Sequence, residues 1–328
     1  MDNPTPRVGW VQVAGPHSGG HQYGEAVRRA VERQVGVSLV DIRSRAGPLK
    51  PLVMQARLAA LRANGRYDTL VLDNAAALVL PLPRRPRHVV VVYHIGPESI
   101  GSGWERALVR AAQPLCLRHL RAADQVVTIS RFWEDRVRAL GNPRVRTIYS
   151  AYDDSDFAVS DADIGAFRAR HGLTKPIVYI GNCQSAKGVV ETHAALRGLD
   201  VHLVTSGRRL VRLPALNLDA GYREYLALLA ASSVVVTMSK FDEGWCRTAH
   251  EAMLLRRPVV GSGRGGMGEL LAGGGQVVCA RFDDLRAHVE ALLADPARAA
   301  AQGEAGYRFA RSFTTERFRR EWTEVLTG

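Results

Sequence analysis

Val234-Val235-Val236-Thr237 runs through Met238 into Ser239-Lys240-Phe241-Asp242-Glu243-Gly244-Trp245-Cys246-Arg247-Thr248-Ala249-His250-Glu251-Ala252-Met253, and Arg257-Pro258 follows. The first four residues are a β-branched run of strand character. The segment then enters a helix that ends ahead of the proline. Strand, loop and helix in this order are half of a βαβ unit, and the same unit repeats outward in both directions. Toward the C-terminus, residues 259–260 and 277–278 read as strands and 316–326 as a closing helix. Toward the N-terminus lie strand-like runs at 177–180 and 201–204. A further series follows at 8–13, 37–40, 70–73, 89–93, 125–130 and 145–149. Helical spacing falls at 23–34, 104–123 and 131–140, with Pro114 expected to kink or break the second of these. Five aspartates between 153 and 163 read as a polar linker. The expected fold is therefore α/β: two doubly wound parallel-sheet domains joined near 155–175. In such folds ligands sit at loops that follow the carboxyl ends of strands.

A chain of 328 residues with 46% hydrophobic and 23% charged residues has the balance of a globular protein with a large core. Cys116, Cys183, Cys246 and Cys279 are scattered without a CxxC pair, which writes neither a zinc ribbon nor a disulfide framework. A reducing, cytoplasmic setting is expected. The N-terminal residues lack a basic segment followed by an apolar one, so no signal peptide is read there. The most apolar stretch, 69–83, carries Asp73 and Asn74 and is too short to span about 30 Å of hydrocarbon. Net charge is +12, and only four of the 44 basic residues are lysines. Residues 1–155 hold 22 basic and 13 acidic side chains, a net +9, against +3 for the rest. The N-terminal half is expected to meet the more acidic partner.

In the quoted segment, Glu243 and Glu251 stand eight positions apart, about 12 Å if both were helical. Placing Glu243 in the loop and Glu251 on the helix sets a helix N-terminus between them, where a phosphate binds well. The same spacing also fits a capping Glu243 and a solvated Glu251. Glu-x7-Glu with Gly244 after the first Glu, then Glu251-Ala252-Met253, Pro258-Val259-Val260-Gly261-Ser262 and Gly265-Gly266-Met267-Gly268-Glu269, resembles the signature of family-four retaining glycosyltransferases. These are the "group 1" nucleotide-sugar enzymes of the GT-B fold, whose two Rossmann-like domains face each other across a cleft.

Other segments resemble the family in the same order. Gly181-Asn182-Cys183-Gln184-Ser185-Ala186-Lys187-Gly188 is similar to its phosphate-binding Gly-Arg-x4-Lys-Gly loop, with Lys187 matching and Asn182 standing where arginine is expected. Gly19-Gly20 resembles the N-terminal glycine-rich loop, and His94 the active-site histidine near the donor sugar. Residues 124–130 and 149–157 are similar to two further family segments, the second in degraded form.

The resemblance implies domains at 1–155 and 156–310, with 311–328 forming a helix that packs back on the first. It implies transfer from a nucleotide-diphosphate sugar, UDP favoured and GDP next, to a hydroxyl acceptor. No cofactor or metal is implied. Lys187 and the N–H groups around Gly244, Trp245, Cys246, Arg247 and Thr248 would stabilise the leaving diphosphate. Glu251 would hold the ribose, Glu243 the donor sugar, and Ser206-Gly207 would lie beside the base. Arg247 is either a further phosphate contact or a solvated arginine.

Arg84-Arg85-Pro86-Arg87 and Arg106, Arg110, Arg118 and Arg121, interleaved with Leu108, Leu115, Leu117 and Leu120, fit a helix lying on an anionic membrane. They fit equally a solvated helix face, and this gives a cytoplasmic or peripheral inner-face location. A nucleic-acid acceptor is the other acidic partner the charge allows, although few aromatics interleave with the arginines. An epimerase or phosphorylase of the same architecture, and a non-catalytic nucleotide-sugar-binding protein, are the remaining readings.

Overall fold

The structure, a computed structural model, describes residues 6–13, 19–44, 50–73, 86–96 and 103–328. The chain divides into two units, Met1–Ala151 with Thr314–Gly328, and Tyr152–Phe313.

The first unit contains β1 (Val8–Gln12), α1 (Gly19–Val31), β2 (Val37–Asp41), α2 (Lys50–Ala63), β3 (Thr69–Asp73), β4 (Arg87–Val92), α3 (Gly103–Ala122), β5 (Gln125–Thr128), α4 (Arg131–Ala139), β6 (Val145–Thr147) and the closing helix Thr315–Thr327. Its strands form one parallel sheet in the order β2-β1-β3-β4-β5-β6. Val89, Val90, Val91 and Val92 are fully buried, because helices cover both faces of a parallel sheet.

Helix α2 has no clear signal in the sequence. Leu58 is buried and Met54 and Leu61 pack toward Leu70 and Leu72, yet Leu52 on the same helix is 67% exposed, which blurs the apolar stripe. Helix α3 runs unbroken through Pro114, contrary to the expected break. A proline inside a helix costs about 3 kcal/mol. Cys116 and Leu120, packed on Val90, Val92 and Val126, supply burial to offset it.

The closing helix is held by an aromatic cluster. The Trp322 indole N–H donates to the Tyr23 hydroxyl (3.2 Å), which in turn donates to the carbonyl of Ile148 (3.0 Å). Trp10 lies 5.2 Å from Trp322 and Phe318 lies 5.5 Å from Tyr23, centroid to centroid. Trp10, Tyr23, Ile148, Phe318 and Trp322 are thereby joined within the first unit.

The stretch 153–163 is a capped 3-10 turn and helix start rather than a linker, with Asp153 and Asp163 as its capping carboxylates. Asp153 accepts from the Ser155 N–H and opens a short 3-10 turn at Asp154–Phe157. Ser160 and Asp163 form a reciprocal capping box. The box opens α5 (Asp161–Arg170), whose Phe167 is buried. The units join at Ala151/Tyr152, ahead of the expected junction.

The second unit continues with β7 (Ile177–Asn182), α6 (Val189–Leu196), β8 (His202–Ser206), β9 (Leu216–Leu218), α7 (Tyr222–Ala231), β10 (Val234–Thr237), α8 (Arg247–Leu254), β11 (Val259–Gly261), α9 (Gly266–Gly273), β12 (Val277–Val278), α10 (Phe282–Ala294) and α11 (Pro296–Ala310). Its parallel sheet runs β12-β11-β10-β7-β8-β9, so the strand order reverses between β7 and β10. A crevice forms outside the carboxyl ends of the strands where the order reverses. Among the described residues no helix is long and apolar enough to cross a membrane.

Tyr23→Phe deletes a buried hydroxyl that both accepts and donates. It is expected to lower stability by about 1–3 kcal/mol, read as a lower urea midpoint at unchanged slope. An unchanged midpoint would mean that the hydroxyl does not hold the closing helix.

Candidate functional site

The loops after β7 and β10 flank the point where strand order reverses in the second unit. After Asn182 the chain makes a 3-10 turn at Ser185–Lys187 and leaves it through Gly188 at φ 69°. A Cβ on residue 188 would sit 2.1 Å from the Met238 carbonyl oxygen, so only glycine lets the two loops approach this closely. The Lys240 N–H donates to the Ala186 carbonyl at 2.9 Å and fastens one loop to the other.

This backbone delivers Lys187 to Glu243. Lys187 Nζ donates to Glu243 Oε1 at 2.5 Å, and the Ser239 hydroxyl donates to the same oxygen. The Lys187 ammonium lies 4.9 Å from the centre of the Phe241 ring. Burial works to lower the Lys187 pKa, but the charge and hydrogen bond of Glu243 outweigh it, and the pKa is raised. Lys187 is therefore a cation at neutral pH.

Glu243 does not cap the helix. Its N–H donates to the Arg264 carbonyl (3.2 Å) and its carbonyl accepts from the Gly266 N–H (2.9 Å). Gly265, at φ 67°, permits this pairing: a Cβ there would lie 2.3 Å from the Glu243 carbonyl oxygen. The sequence Gly265-Gly266 thus holds Glu243 from behind.

Helix α8 starts at Cys246, a non-glycine residue in the left-handed region at φ 63° with no side-chain cap on the helix. Burial pushes the Cys246 thiol up to about 12. The first N–H groups of the helix have no intrahelical acceptor and face the site as backbone donors. Gly244 and Trp245 are buried, so the Trp245 side chain belongs to the core. Its indole N–H donates to His250 Nδ1 (2.9 Å), and His250 Nε2 lies 3.1 Å from the Ala310 carbonyl. This pattern places the imidazole proton on Nε2. Burial lowers the His250 pKa to about 4.

Glu251 is not solvated: its side chain is 3% exposed. Oε1 accepts from the Tyr222 hydroxyl (3.1 Å) and from Arg247 Nη2 (2.9 Å), and Oε2 accepts from the Tyr225 hydroxyl (3.0 Å). Tyr225 also reaches the Thr248 hydroxyl (3.1 Å), and Arg247 Nε donates to the Tyr152 hydroxyl (3.2 Å). Arg247 is accordingly an ion-paired side chain. On the other flank, the Tyr179 hydroxyl lies 2.8 Å from Ser206 Oγ and 3.3 Å from Asn182 Oδ1, and Gly207 turns at φ 72°.

Ser239, His250, Tyr152, Tyr179, Tyr222 and Tyr225 were not legible as site residues in the sequence. The one available signal was the i, i+3 tyrosine pair at the start of the helix before β10.

The remaining candidates lie in the first unit. His94 follows β4 and is half-buried. Gly19 and Gly20 form the first turn of α1, not a loop; residues 14–18 lie outside the described residues. The Tyr93 hydroxyl donates to the Gly20 carbonyl at 3.3 Å. Of the basic segments, Arg84, Arg85 and the side chain of Arg106 lie outside the described residues. Arg87 is half-buried and donates to the Val325 carbonyl (2.6 Å), so it is not part of a solvated basic face. Arg110, Arg118 and Arg121 are exposed.

Residues 9–152 match the sequence family described as the glycosyl transferase 4-like domain. Among solved structures, Anabaena HepE in complex with UDP-glucose is similar with TM-score 0.79 and 17% identity, over 98% of this chain and 99% of that one. Sucrose-phosphate synthase from Thermosynechococcus elongatus gives TM-score 0.75 and 18% identity, over 98% of each chain. WaaG, a glycosyltransferase involved in lipopolysaccharide biosynthesis, gives 0.76 and 13%, over 98% of this chain and 100% of that one. No curated protein matches by sequence. Two parallel α/β units of this order have the GT-B fold, and the first carries the glycosyl transferase 4-like domain.

Two outcomes test this geometry. His250 is neutral in the native state, whereas its unfolded-state pKa is near 6.5. Stability is therefore lost as pH falls from about 6.5 toward 4, by about 2 kcal/mol at pH 5 from this group alone. His250→Phe is expected to be less stable at pH 7 but to lack this part of the slope. Urea melts of both proteins at several pH values separate it from His88, the other buried histidine with a pKa near 4. Gly188→Ala is expected to cost about 3 kcal/mol or more, because backbone rather than a side chain must shift. A wild-type melting temperature in that variant would contradict the contact with Met238.

Proposed function

We propose that the protein transfers a sugar from a nucleotide-diphosphate donor to an acceptor hydroxyl with retention of anomeric configuration and without a metal. The observation that carries this reading is the pair of half-buried Lys187 and buried Glu243 at the strand-order reversal of the second unit, beside the start of α8. UDP-sugars are the favoured donors and GDP-sugars the next, a choice supported by the UDP-glucose bound to the similar HepE.

In this reading the diphosphate lies at the N–H groups of residues 246–248, with Lys187 beside it as the fixed cation. As the anomeric C–O bond breaks, negative charge grows on the leaving diphosphate, and preorganised donors stabilise it more than they stabilise the intact donor. The acceptor hydroxyl adds to the same face of the anomeric carbon and its proton passes to the leaving phosphate oxygen. Glu243 orients the donor sugar's hydroxyls and offsets positive charge on the sugar ring. Glu251 receives the ribose, and Ser206-Gly207 and Asn182 border the base. His94, in the first unit, matches the histidine to which the resemblance gives a catalytic role. The acceptor is bound by the more basic first unit, and an anionic or membrane-presented acceptor fits its charge.

The test is thermal denaturation with UDP, GDP, ADP, dTDP and CDP on wild type and Glu251→Ala. A nucleotide at 100 times its Kd adds about 2.7 kcal/mol to wild type, and the substitution removes the gain. Absence of any shift in wild type overturns the donor-site reading. Lys187→Ala is expected to lower kcat/KM about 10²–10³-fold, and NMR of the product's anomeric proton reports retention directly. Full turnover by Lys187→Ala would remove it from the mechanism.

A further inference from the structure

We infer that Arg247 determines selectivity at the donor site by changing partners: it is paired with Glu251 in the free protein and with the donor's diphosphate in the complex. The inference rests on the donor-site reading above and deepens it. A carboxylate has about four acceptor positions. Three are in use at Glu251, by Tyr222 and Arg247 on Oε1 and by Tyr225 on Oε2. A ribose presents two hydroxyls, so at least one present donor must leave.

Arg247 is the one whose departure has a destination. Tyr225 is held by its second hydrogen bond to Thr248, and Tyr222 is stacked on Tyr225 with ring planes 29° apart. Arg247 is 34% exposed, stands at the first position of α8, and is held otherwise by the Tyr152 hydroxyl. A cation at the positive end of a helix dipole is unfavourably placed unless an anion is beside it. Glu251 is that anion in the free protein. A diphosphate at the start of α8 replaces it, and Glu251 is released to the ribose in the same event. Arg247 then supplies a phosphate-facing positive charge in a site where Asn182 provides none.

This exchange has a consequence that a simple phosphate contact lacks. A nucleoside without phosphates must displace Arg247 from Glu251 and offers the guanidinium no anion in return. Arg247 therefore disfavours the nucleoside and favours the nucleoside diphosphate.

The test measures uridine and UDP binding, the nucleoside by ligand-observed NMR and the diphosphate by calorimetry, on wild type, Arg247→Leu and Arg247→Gln. If the melts select another base, its nucleoside and diphosphate are used. In both variants, UDP affinity is expected to fall at least tenfold while uridine affinity rises threefold or more. Unliganded melting temperatures and circular dichroism establish that the variants are folded, and Arg247→Gln retains a polar side chain if Arg247→Leu does not fold. A parallel fall in both affinities overturns the inference, because Arg247 then only props Glu251. A fall for UDP with uridine unchanged also overturns it, because Arg247 then never competed for the carboxylate. If wild type binds none of the five diphosphates, the donor-site reading itself has failed, a result distinct from either.

Discussion

The contact between Lys187 and Glu243 sets the terms for everything around it. A carboxylate with 9% of its side chain exposed is costly to bury unless a cation and further donors meet it, and the ammonium and the Ser239 hydroxyl do so on one oxygen. The two partners come from loops after different strands, 56 residues apart. The pair exists only because β7 and β10 are neighbours in the sheet and both loops leave the same edge. Gly188 and Gly265 are the backbone conditions for it, each placed where any Cβ would strike a carbonyl oxygen of the opposing segment.

A second buried carboxylate, Glu251, is solved differently. Its partners are two tyrosine hydroxyls and one arginine, with Tyr152 completing the shell through Arg247. Lys187 and Arg247 thus lie on either side of the start of α8, each bound to its own glutamate. The helix begins at a left-handed cysteine, a conformation disfavoured for a side-chain-bearing residue. The Trp245–His250–Ala310 chain of hydrogen bonds fixes the flanking segment from the core side.

In the first unit, the closing helix is bound by aromatic packing and one shared hydroxyl. Burial of large aromatic rings is also what makes a helix at the end of the chain part of the first core. The sequence that precedes it, Tyr152–Phe313, belongs to the other unit. Local propensity is likewise overruled in α3, where the core contacts of Cys116 and Leu120, just after Pro114, hold the helix in place.

The alternation of buried β-branched runs with helical stretches determined the two parallel α/β sheets, because period and apolarity are local and survive in the linear chain. Glu243, Glu251 and Lys187 were singled out by the resemblance of their segments to family motifs; spacing alone left open whether Glu243 caps the helix and Glu251 is solvated. Local reading failed where the signal was composition alone. The aspartates at 153–163 looked like a linker, but Asp153 and Asp163 each accept a hydrogen bond from a specific N–H at the start of a turn or helix. Only the tertiary structure decided which charges meet. Tyr152, Tyr179, Tyr222 and Tyr225 reach the site from two elements and a loop, and no sequence interval encodes a hydrogen bond between residues 26 to 95 positions apart. Burial decided the rest, turning Arg247 from a surface arginine into the partner of a carboxylate withdrawn from water.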